Sequence, residues 1–343
     1  MPKEEKMNAF KLTLLGCAFT LSGSLAASAE ELILSSWLPP SHAIVTDAIE
    51  PWGEEVSRVT EGRVTVRVLA KSLGSPPSHF DMARDGIADI TYGLHSFTED
   101  DRFIKARLGQ FSFLGDDAVA NSEAFWTVYT EQLGAAEEHE GTHLLSLFMH
   151  GPGMLHNTER SIGTIADLQG LKLRVPGGYV ADLLSGFGVE PVFMPSGEVY
   201  ENLSRGVVDG VAFPQDSIAS FNLGEHLTHS TTLPGGIYNT TWFLVMNQAK
   251  WDAISPEDQA AISAVSGAAF AKLVGSAWNI ADDAGEAAAS AADVAVAPAG
   301  QEVVDAIRAR SAELEAEWAT SLGTDYDGLA ALAAFRQITG VTP

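Results

Sequence analysis

Apolar and polar residues alternate along several short segments of the chain, and most of these segments are followed by helical spacing. Val64, Val66 and Val68 alternate with Thr65 and Arg67, as in a strand with one buried face. Because strands and helices take turns along the chain, the pattern predicts an α/β fold with mostly parallel sheets. The predicted strands span residues 31–37, 63–70, 88–92, 142–149, 171–175, 190–193, 207–213 and 237–246, and the predicted helices span residues 41–59, 77–86, 121–138, 179–187 and 197–205.

The strand and helix units fall into two sets, which predicts two lobes. About 314 residues follow the leader described below, a length typical of two α/β lobes rather than one small core. We expect the chain to cross between lobes near Met149. The predicted first lobe comprises residues 30–148 plus about 237–275, and the predicted second lobe comprises residues 149–236 plus about 276–343.

A long helix is predicted to begin after Ser255. Ser255 is a favourable N-cap and Pro256 suits a first helical turn, while Glu257 and Asp258 bring negative charge to the positive end of the helix dipole. The helical pattern continues to about residue 284, or even 291. A helix of about 30 residues is roughly 45 Å long, so this one could lie across both lobes.

The N-terminus has the pattern of a cleaved secretory signal. Lysines precede an apolar stretch at residues 12–27, and Ala27-Ser28-Ala29 is a small-residue cleavage site. We therefore expect cleavage after Ala29 and a mature protein outside the cytoplasm. The single cysteine, Cys17, lies within this leader, where a lipoprotein site is the less favoured alternative. The mature chain would then be stabilised by packing, without a disulfide.

The chain is strongly acidic, which bears on its partners. Its formal net charge is -25, and removal of the leader changes this to -26, because the leader contains three lysines and two glutamates. Such a surface repels nucleic acid and anionic lipid, so neither is an expected partner. An anionic ligand would need a site that is locally positive.

Arg174 is the first candidate for such a site. It lies in the alternating segment 171–175, which Pro176 and two glycines end before a helical pattern begins. Arg174 is therefore predicted at the carboxyl end of a strand that leads into a helix, where open α/β sheets bind ligands. The planar donors of a guanidinium match two carboxylate oxygens at once. A solvated strand cation is the alternative interpretation.

Several short motifs occur in order along nearly the whole mature chain. They are Thr60-Glu61-Gly62-Arg63, Asp85-Gly86-Ile87-Ala88-Asp89-Ile90, Asp167-Leu168-Gln169-Gly170-Leu171-Lys172-Leu173-Arg174-Val175-Pro176, Gly188 with Pro191, Gly197-Glu198-Val199-Tyr200, Gly206-Val207-Val208-Asp209-Gly210, and Trp251 with Ser255-Pro256-Glu257. The ordered set resembles the solute-binding proteins of TRAP transporters, the tripartite ATP-independent periplasmic systems.

The resemblance implies a two-lobed periplasmic binding protein fold, similar to class II, with a long helix across both lobes. It also implies that the protein captures a small organic acid by closing its cleft and delivers it to TRAP membrane subunits. In the family the arginine that matches Arg174 binds the ligand carboxylate, and the segment that matches Phe213 and Gln215 lends another side chain. Phe213 and Met154 stand where sialic-acid-binding members have polar residues, so a smaller or partly apolar acid is expected.

Other candidate contacts follow from the predicted strand ends. Trp37 ends the first strand and His95 follows the strand at residues 88–92, while Asn239, Thr241 and Trp242 lie on the predicted returning strand. Trp37 and His95 each have a structural alternative, because aromatic residues at such positions often belong to the core and buried histidines are often satisfied by hydrogen bonds.

We expect binding without catalysis, no cofactor, and a monomer, although Na⁺ could sit beside the ligand carboxylate. An ABC-type periplasmic binding protein is one alternative. A zinc peptidase is another, because His139-Glu140-Gly141-Thr142-His143 matches the HExxH pattern. That chemistry needs both histidines on one face of a helix, whereas Gly141 is predicted to end a helix and Thr142 to open a strand. The two imidazoles are therefore expected to diverge.

Overall fold

The computed structural model describes residues 29–98 and 101–341, so the predicted leader lies outside the described residues apart from Ala29. The strands are β1 (Glu30–Ser35), β2 (Val64–Leu69), β3 (Ile90–Leu94), β4 (Thr142–Met149), β5 (Met154–Asn157), β6 (Lys172–Val175), β7 (Glu190–Phe193), β8 (Gly210–Phe213), β9 (His229–Thr232), β10 (Thr241–Asn247) and β11 (Ala295–Pro298). The helices are α1 (Glu50–Val59), α2 (His79–Arg84), α3 (Ala118–Gln132), α4 (Ala135–Glu138), α5 (Tyr179–Ser185), α6 (Val199–Ser204), α7 (Ser217–Ser220), α8 (Gln248–Ala253), α9 (Pro256–Val265), α10 (Gly267–Ala291), α11 (Gln301–Ser321) and α12 (Gly328–Thr339).

The strands form two sheets, and we call the part of the chain built on each sheet a lobe. The sheet of lobe I has the order β2-β1-β3-β10-β4, and the sheet of lobe II has the order β11-β9-β5-β8-β6-β7. The chain crosses from the first sheet to the second between β4 and β5 and returns between β9 and β10. The predicted α/β class and the two-lobed architecture are both present in this arrangement, while the limits of the predicted domains remain a prediction.

Both sheets are mixed, because the strands next to the crossings run against their neighbours. β10 pairs antiparallel with β3 and β4, and β5 pairs antiparallel with β8 and β9. The other pairs are parallel, and they bring the carboxyl ends of β1 and β3 to one edge of the first sheet and those of β6, β7 and β8 to one edge of the second. These two edges face each other across the cleft.

Most predicted elements are present, with shifted ends. β4 and β7 have the predicted limits, whereas the strand expected at residues 237–246 begins only at Thr241. The helix expected at residues 121–138 is divided into α3 and α4, because Gly134 adopts a left-handed conformation between them. The short strands β5, β9 and β11 were not predicted from the alternation, since each has only four residues.

The predicted long helix is present, but it has a break. Ser255 caps α9 by accepting the backbone N–H of Asp258, as expected, and extended backbone at Ser266 then separates α9 from α10. α10 packs against α3 and β4 on one side and against α7 and β11 on the other, so it contacts both lobes. The domain boundary predicted near residue 275 therefore falls inside α10.

The stretch from Pro256 to Ala291 is also long and apolar enough to cross a membrane by length and composition. Several of its large apolar side chains are buried within the protein. Phe270, Val274 and Trp278 are buried in the same cluster as the core of lobe I. The apolar character of this stretch is therefore explained by its position between the lobes.

The region that matches HExxH does not have the geometry of a zinc peptidase. His139 follows α4 and is buried, with its Nε2 atom 3.0 Å from Nε2 of His95. His143 lies on β4 and stacks on Trp251 with the ring centroids 3.6 Å apart. The two rings therefore have different surroundings, as expected from the break at Gly141. Within the described residues, no group of three or more side chains is arranged to hold a metal ion.

The contact between His95 and His139 leaves both rings neutral. Nδ1 of His139 donates to the carbonyl of Ala135 at 2.7 Å, so Nε2 of His139 accepts the proton that His95 carries on its own Nε2. Burial lowers the pKa of His139 to about 4, and burial together with the neighbouring ring lowers the pKa of His95. Protonation of this pair would place two positive charges together in the core.

We expect the free energy of unfolding to fall as the pH is lowered from about 6.5 toward 4. The unfolded chain binds a proton at each histidine near pH 6.5, whereas folded His139 does so only near pH 4, so stability is complete above pH 6.5 and is lost below it. His139→Gln should reduce the loss between pH 6.5 and 5 by roughly 2 kcal/mol. Urea unfolding at a series of pH values measures this, and an unchanged pH dependence in the variant would contradict it.

Candidate ligand-binding site

A cavity lies between the facing edges of the two sheets. Its wall is mainly aromatic and is supplied by both lobes, by the crossing segments and by α10. The aromatic lining residues are Trp37, Phe97, Phe213, Phe221, Tyr238, Trp242 and Trp278, and the lining residues with charged or polar groups are His42, His150, Arg174, Ser196, Asp216 and Thr240.

Arg174 is held rigidly at the carboxyl end of β6, with only 2% of its surface exposed. Its Nε atom donates to the carbonyl of Met194 at 2.8 Å and its Nη1 atom donates to the carbonyl of Ala212 at 3.2 Å. These carbonyls belong to the neighbouring chain segments on either side, so they fix the plane of the guanidinium. A guanidinium has five N–H donors, which leaves the Nη2 donors available to the cavity.

No carboxylate in the described part of the chain pairs with Arg174. Burial lowers the pKa of Arg174 to about 10, so the side chain is still a cation at neutral pH. A buried cation without a counterion costs free energy, and this cost falls when an anion with matching geometry binds. The site is therefore locally positive within a chain of net charge -25, as the sequence required of an anion site.

Phe213 forms a flat surface beside the guanidinium. The Cζ atom of Arg174 lies 4.1 Å from the centroid of the Phe213 ring, which is a cation–π distance. The same ring stacks on Phe221, with the centroids 5.5 Å apart and an interplanar angle of 12°. Arg174 is thus supported by carbonyl groups along its edge and by an aromatic face.

The opposite wall is a stack of indoles from lobe I. Trp242, on β10, lies parallel to Trp37 with the centroids 5.4 Å apart and an interplanar angle of 4°. The Nε1 atom of Trp37 donates to the carbonyl of Tyr92, and that of Trp242 donates to Oγ1 of Thr240. Because both indole donors are occupied, this wall offers apolar ring surface to a ligand.

Tyr238 brings a free hydroxyl group to the cavity. In the described ranges this hydroxyl has no hydrogen-bond partner, although the residue is only 1% exposed. Burial raises the pKa of Tyr238 above its usual range despite the nearby charge of Arg174, so the group is a neutral donor. A carboxylate on Arg174 could accept this hydrogen as well.

His150 supports the site rather than offering it a charge. Its Nε2 atom accepts the backbone N–H of Thr240 at 3.0 Å, and its Nδ1 atom lies 2.5 Å from the carbonyl of Gly151. The proton is therefore on Nδ1, and both ring nitrogens are occupied. Burial lowers the pKa of His150 to about 4, which keeps the ring neutral.

Of the residues selected from the sequence, Arg174, Phe213, Trp37 and Trp242 line the cavity. The other four do not reach it, and each has a different environment. Gln215 borders an acidic groove near α10, and His95 pairs with His139. Asn239 donates to the carbonyls of His150 and Gly151, and Thr241 accepts a hydrogen bond from Gln110, so both hold crossing segments in place.

The sequence did not point to His42, Tyr238, Asp216 or Trp278. Asp216 follows β8 just as Gln215 does, so it could have been selected for the same reason. The turn after Pro214 directs the Asp216 side chain into the cavity, whereas Gln215 borders the acidic groove. His42 follows the prolines that end the first predicted strand, so it could have been selected with Trp37. Trp278 lies in the middle of α10, where the sequence gives no indication of which face meets the cleft.

The lobes are closed in this structure. Nη2 of Arg107 in lobe I donates to Oδ2 of Asp182 in lobe II at 2.7 Å, and Oγ of Ser96 donates to the carbonyl of Pro176 at 3.0 Å. Gly177 has φ +82, and a Cβ atom there would lie 2.8 Å from the carbonyl oxygen of Ser96. Glycine therefore permits both the turn after β6 and the close approach of the two lobes.

Two α/β lobes closed over a lined cavity with a buried, unneutralised charge define a solute-binding protein. The chain belongs to the DctP family, the bacterial extracellular solute-binding proteins of family 7, which it matches over residues 34–321. The resemblance to TRAP solute-binding proteins is thereby confirmed, and the family is one of transport proteins rather than enzymes.

Known relatives cover most of the chain. A TRAP periplasmic solute-binding protein from Bordetella bronchiseptica, solved with (R)-mandelate and (S)-mandelate, is 40% identical with a TM-score of 0.87, over 90% of this chain and 98% of that one. A TRAP solute-binding protein from Rhodoferax ferrireducens, in complex with benzoate, is 28% identical with a TM-score of 0.83. The match covers 90% of this chain and 97% of that one. The outer membrane transporter protein TsaT of Comamonas testosteroni is 30% identical over 77% of this chain and 78% of its own length.

Removal of the Tyr238 hydroxyl should leave the unliganded protein as stable as before, because the group has no hydrogen-bond partner to lose among the described residues. Tyr179→Phe is the matched control, since the Tyr179 hydroxyl lies 2.7 Å from Oγ of Ser112. We expect the control to lose about 1 kcal/mol and Tyr238→Phe to lose less than about 0.5 kcal/mol in urea unfolding. Equal losses in the two variants would show that the Tyr238 hydroxyl has a structural role instead.

Proposed function

We propose that this protein binds a small aromatic monocarboxylate in the cavity and delivers it to the membrane subunits of a TRAP transporter. The observation that carries the proposal is the buried guanidinium of Arg174, which faces an aromatic cavity and has no carboxylate partner in the described residues. Arg174 and the Tyr238 hydroxyl would hold the carboxylate. Trp37, Trp242 and Phe213 would enclose the ring.

The size of the cavity favours a small ligand. The accessible volume of the closed cavity is only about 40 Å³, which favours a small ligand over a bulky one. A sugar acid with many hydroxyl groups would need many polar partners, whereas seven lining side chains are aromatic. The departure from the sialic-acid-binding pattern at Phe213 supports the same choice, whereas Met154 borders the acidic groove near α10 instead of the cavity.

The free energies of the individual interactions assign different roles to the carboxylate and to the ring of the ligand. A hydrogen bond to a charged group contributes about 1.5 to 3 kcal/mol, while micromolar binding needs about 8 kcal/mol. Arg174 therefore selects an anion and sets its orientation, and burial of the ring must supply most of the rest. Aromatic pairs add about 0.5 to 1.5 kcal/mol beyond their buried area.

The relatives support an aromatic acid as the ligand class. The Bordetella protein was solved with mandelate and the Rhodoferax protein with benzoate, and both ligands are monocarboxylates with one ring. The match with the Bordetella protein extends over 90% of this chain. Similarity at this level favours the same class of ligand without specifying the compound.

The proposed transport step is opening and closing of the cleft. The acid would bridge Arg174 of lobe II and the indole wall of lobe I, so the closed form is stabilised by contacts that the open form lacks. The protein would work in the periplasm as a monomer, after cleavage behind Ala29. We propose no cofactor, and a Na⁺ ion beside the carboxylate stays a prediction.

A thermal-shift screen of organic acids tests the ligand class. A ligand that binds only the folded protein stabilises it by about 2.7 kcal/mol at a hundred times its Kd, which raises the melting temperature by several degrees. We expect shifts with benzoate, phenylacetate or mandelate, and none with sugar acids. Binding of a sugar acid without binding of any aromatic acid would contradict the proposal.

Arg174→Met tests the role of the guanidinium directly. Loss of the charged hydrogen bonds should weaken binding of an aromatic monocarboxylate by about 10- to 150-fold in calorimetry, and the melting temperature of the unliganded protein should not fall greatly. Arg67→Met is the matched control and should leave the affinity unchanged, since Arg67 pairs with Glu31 on the exposed surface of lobe I, outside the cavity. Wild-type affinity in Arg174→Met would refute the assignment.

A further inference from the structure

Asp216 is a second charged residue in the lining of the same cavity. Its side chain is 2% exposed and follows β8, on the lobe that also carries Arg174. Oδ2 accepts a hydrogen bond from Oγ of Ser220 at 3.1 Å, while Oδ1 accepts none from the residues that the structure describes. Its only partner of potentially opposite charge there is His42. The cavity therefore contains a buried carboxylate with an open acceptor.

His42 faces this carboxylate from the other lobe. Nδ1 of His42 accepts the backbone N–H of Ile44 at 3.2 Å, so a neutral ring carries its proton on Nε2. Nε2 lies 3.4 Å from Oδ2 of Asp216, but the direction is too poor for a hydrogen bond. His42 thus has a buried donor that no acceptor among the described residues fully satisfies, and this donor also lies at the cavity wall.

Arg174 and Asp216 do not neutralise each other. They line one cavity without forming an ion pair, and ring surface from Phe213 and Phe221 lies in the same wall. A ligand that fills the cavity meets hydrogen-bond donors at Arg174 and an acceptor at Asp216. A ligand that satisfies both residues must therefore carry an acceptor group and a separate donor group.

Further negative charge is disfavoured near Asp216. Asp282, on α10, accepts the backbone N–H of Asp216 at 2.9 Å. Burial and the charge of Asp216 together raise the pKa of Asp282 to about 8. A ligand carboxylate placed near Asp216 would add a third acidic group, beside Asp216 and Asp282, to a region with low solvent access.

We propose that Asp216 and His42 bind a hydroxyl group of the ligand, so that the protein prefers hydroxylated aromatic monocarboxylates and rejects dicarboxylates. This inference rests on the proposed function and specifies its substrate class. The ligand hydroxyl donates to Asp216, and Nε2 of His42 donates to the hydroxyl oxygen. A site that hydrogen-bonds a ligand hydroxyl discriminates strongly against the analogue that lacks it, because its buried polar groups are then left unpaired.

Calorimetry with ligands that differ in one group tests the proposal. Phenylacetate, mandelate and phenylmalonate share a ring and one carboxylate, and they carry hydrogen, hydroxyl or a second carboxylate at the same carbon. Benzoate and its three hydroxy derivatives extend the test to hydroxyl groups on the ring. We expect at least one hydroxylated acid to bind at least about ten-fold more tightly than its parent, and phenylmalonate to bind more weakly than phenylacetate.

Asp216→Asn separates this role from general damage to the site. The variant should bind the preferred hydroxylated acid more weakly and phenylmalonate more tightly, whereas structural damage would weaken both. Asp283→Asn is the matched control, because Asp283 is an exposed carboxylate of α10 outside this cavity, and it should change neither affinity.

The outcomes distinguish this inference from the proposed function. Equal affinities for parent and hydroxylated acids in the wild-type protein would overturn the inference and leave the proposed function standing. An unchanged preference in Asp216→Asn would also overturn it. If no aromatic carboxylate binds the wild-type protein, the proposed function fails and the inference fails with it.

Discussion

A buried positive charge, for which the described residues provide no counterion, determines the rest of this site. Arg174 is almost completely enclosed, yet its hydrogen-bond and cation–π partners among those residues are two carbonyl groups and one aromatic ring. A guanidinium in this environment is stabilised least when the cavity is empty and most when an anion arrives with matching geometry. Two backbone carbonyls at the ends of the neighbouring strands offset part of the free-energy cost of burying this charge. The guanidinium is thus positioned to bind an anion before any ligand is present.

The two lobes turn this charge into a binding site. Lobe II contributes Arg174 and Phe213, while lobe I contributes the stacked indoles of Trp37 and Trp242. Neither set alone encloses the ring and the carboxylate of an aromatic acid. In the proposed function a ligand that satisfies both sets therefore favours the closed form, and α10, which packs against both lobes, connects the two halves. The overall negative charge of the protein is compatible with anion binding, because the positive charge of Arg174 dominates the electrostatic potential at the position proposed for the ligand carboxylate.

The sequence predicted those parts of the fold that depend on local patterns. Alternation located β4 and β7 correctly, and the cap at Ser255 located the start of α9. The position of Arg174 at a strand end was predictable for the same reason. The choice between Gln215 and Asp216 was not, because both follow the same strand and a turn decides which side chain points inward. The meeting of His42 with Asp216 depends on how the lobes pack, which no local pattern encodes.

The central claim is that the ligand carboxylate binds to Arg174 in the closed cleft. A crystal structure of the protein with a bound aromatic acid tests it most directly. The account predicts the carboxylate within hydrogen-bond distance of the guanidinium, with the ring between Phe213 and the indole of Trp242. A ligand whose carboxylate lies elsewhere, with Arg174 contacting only protein atoms, would contradict it.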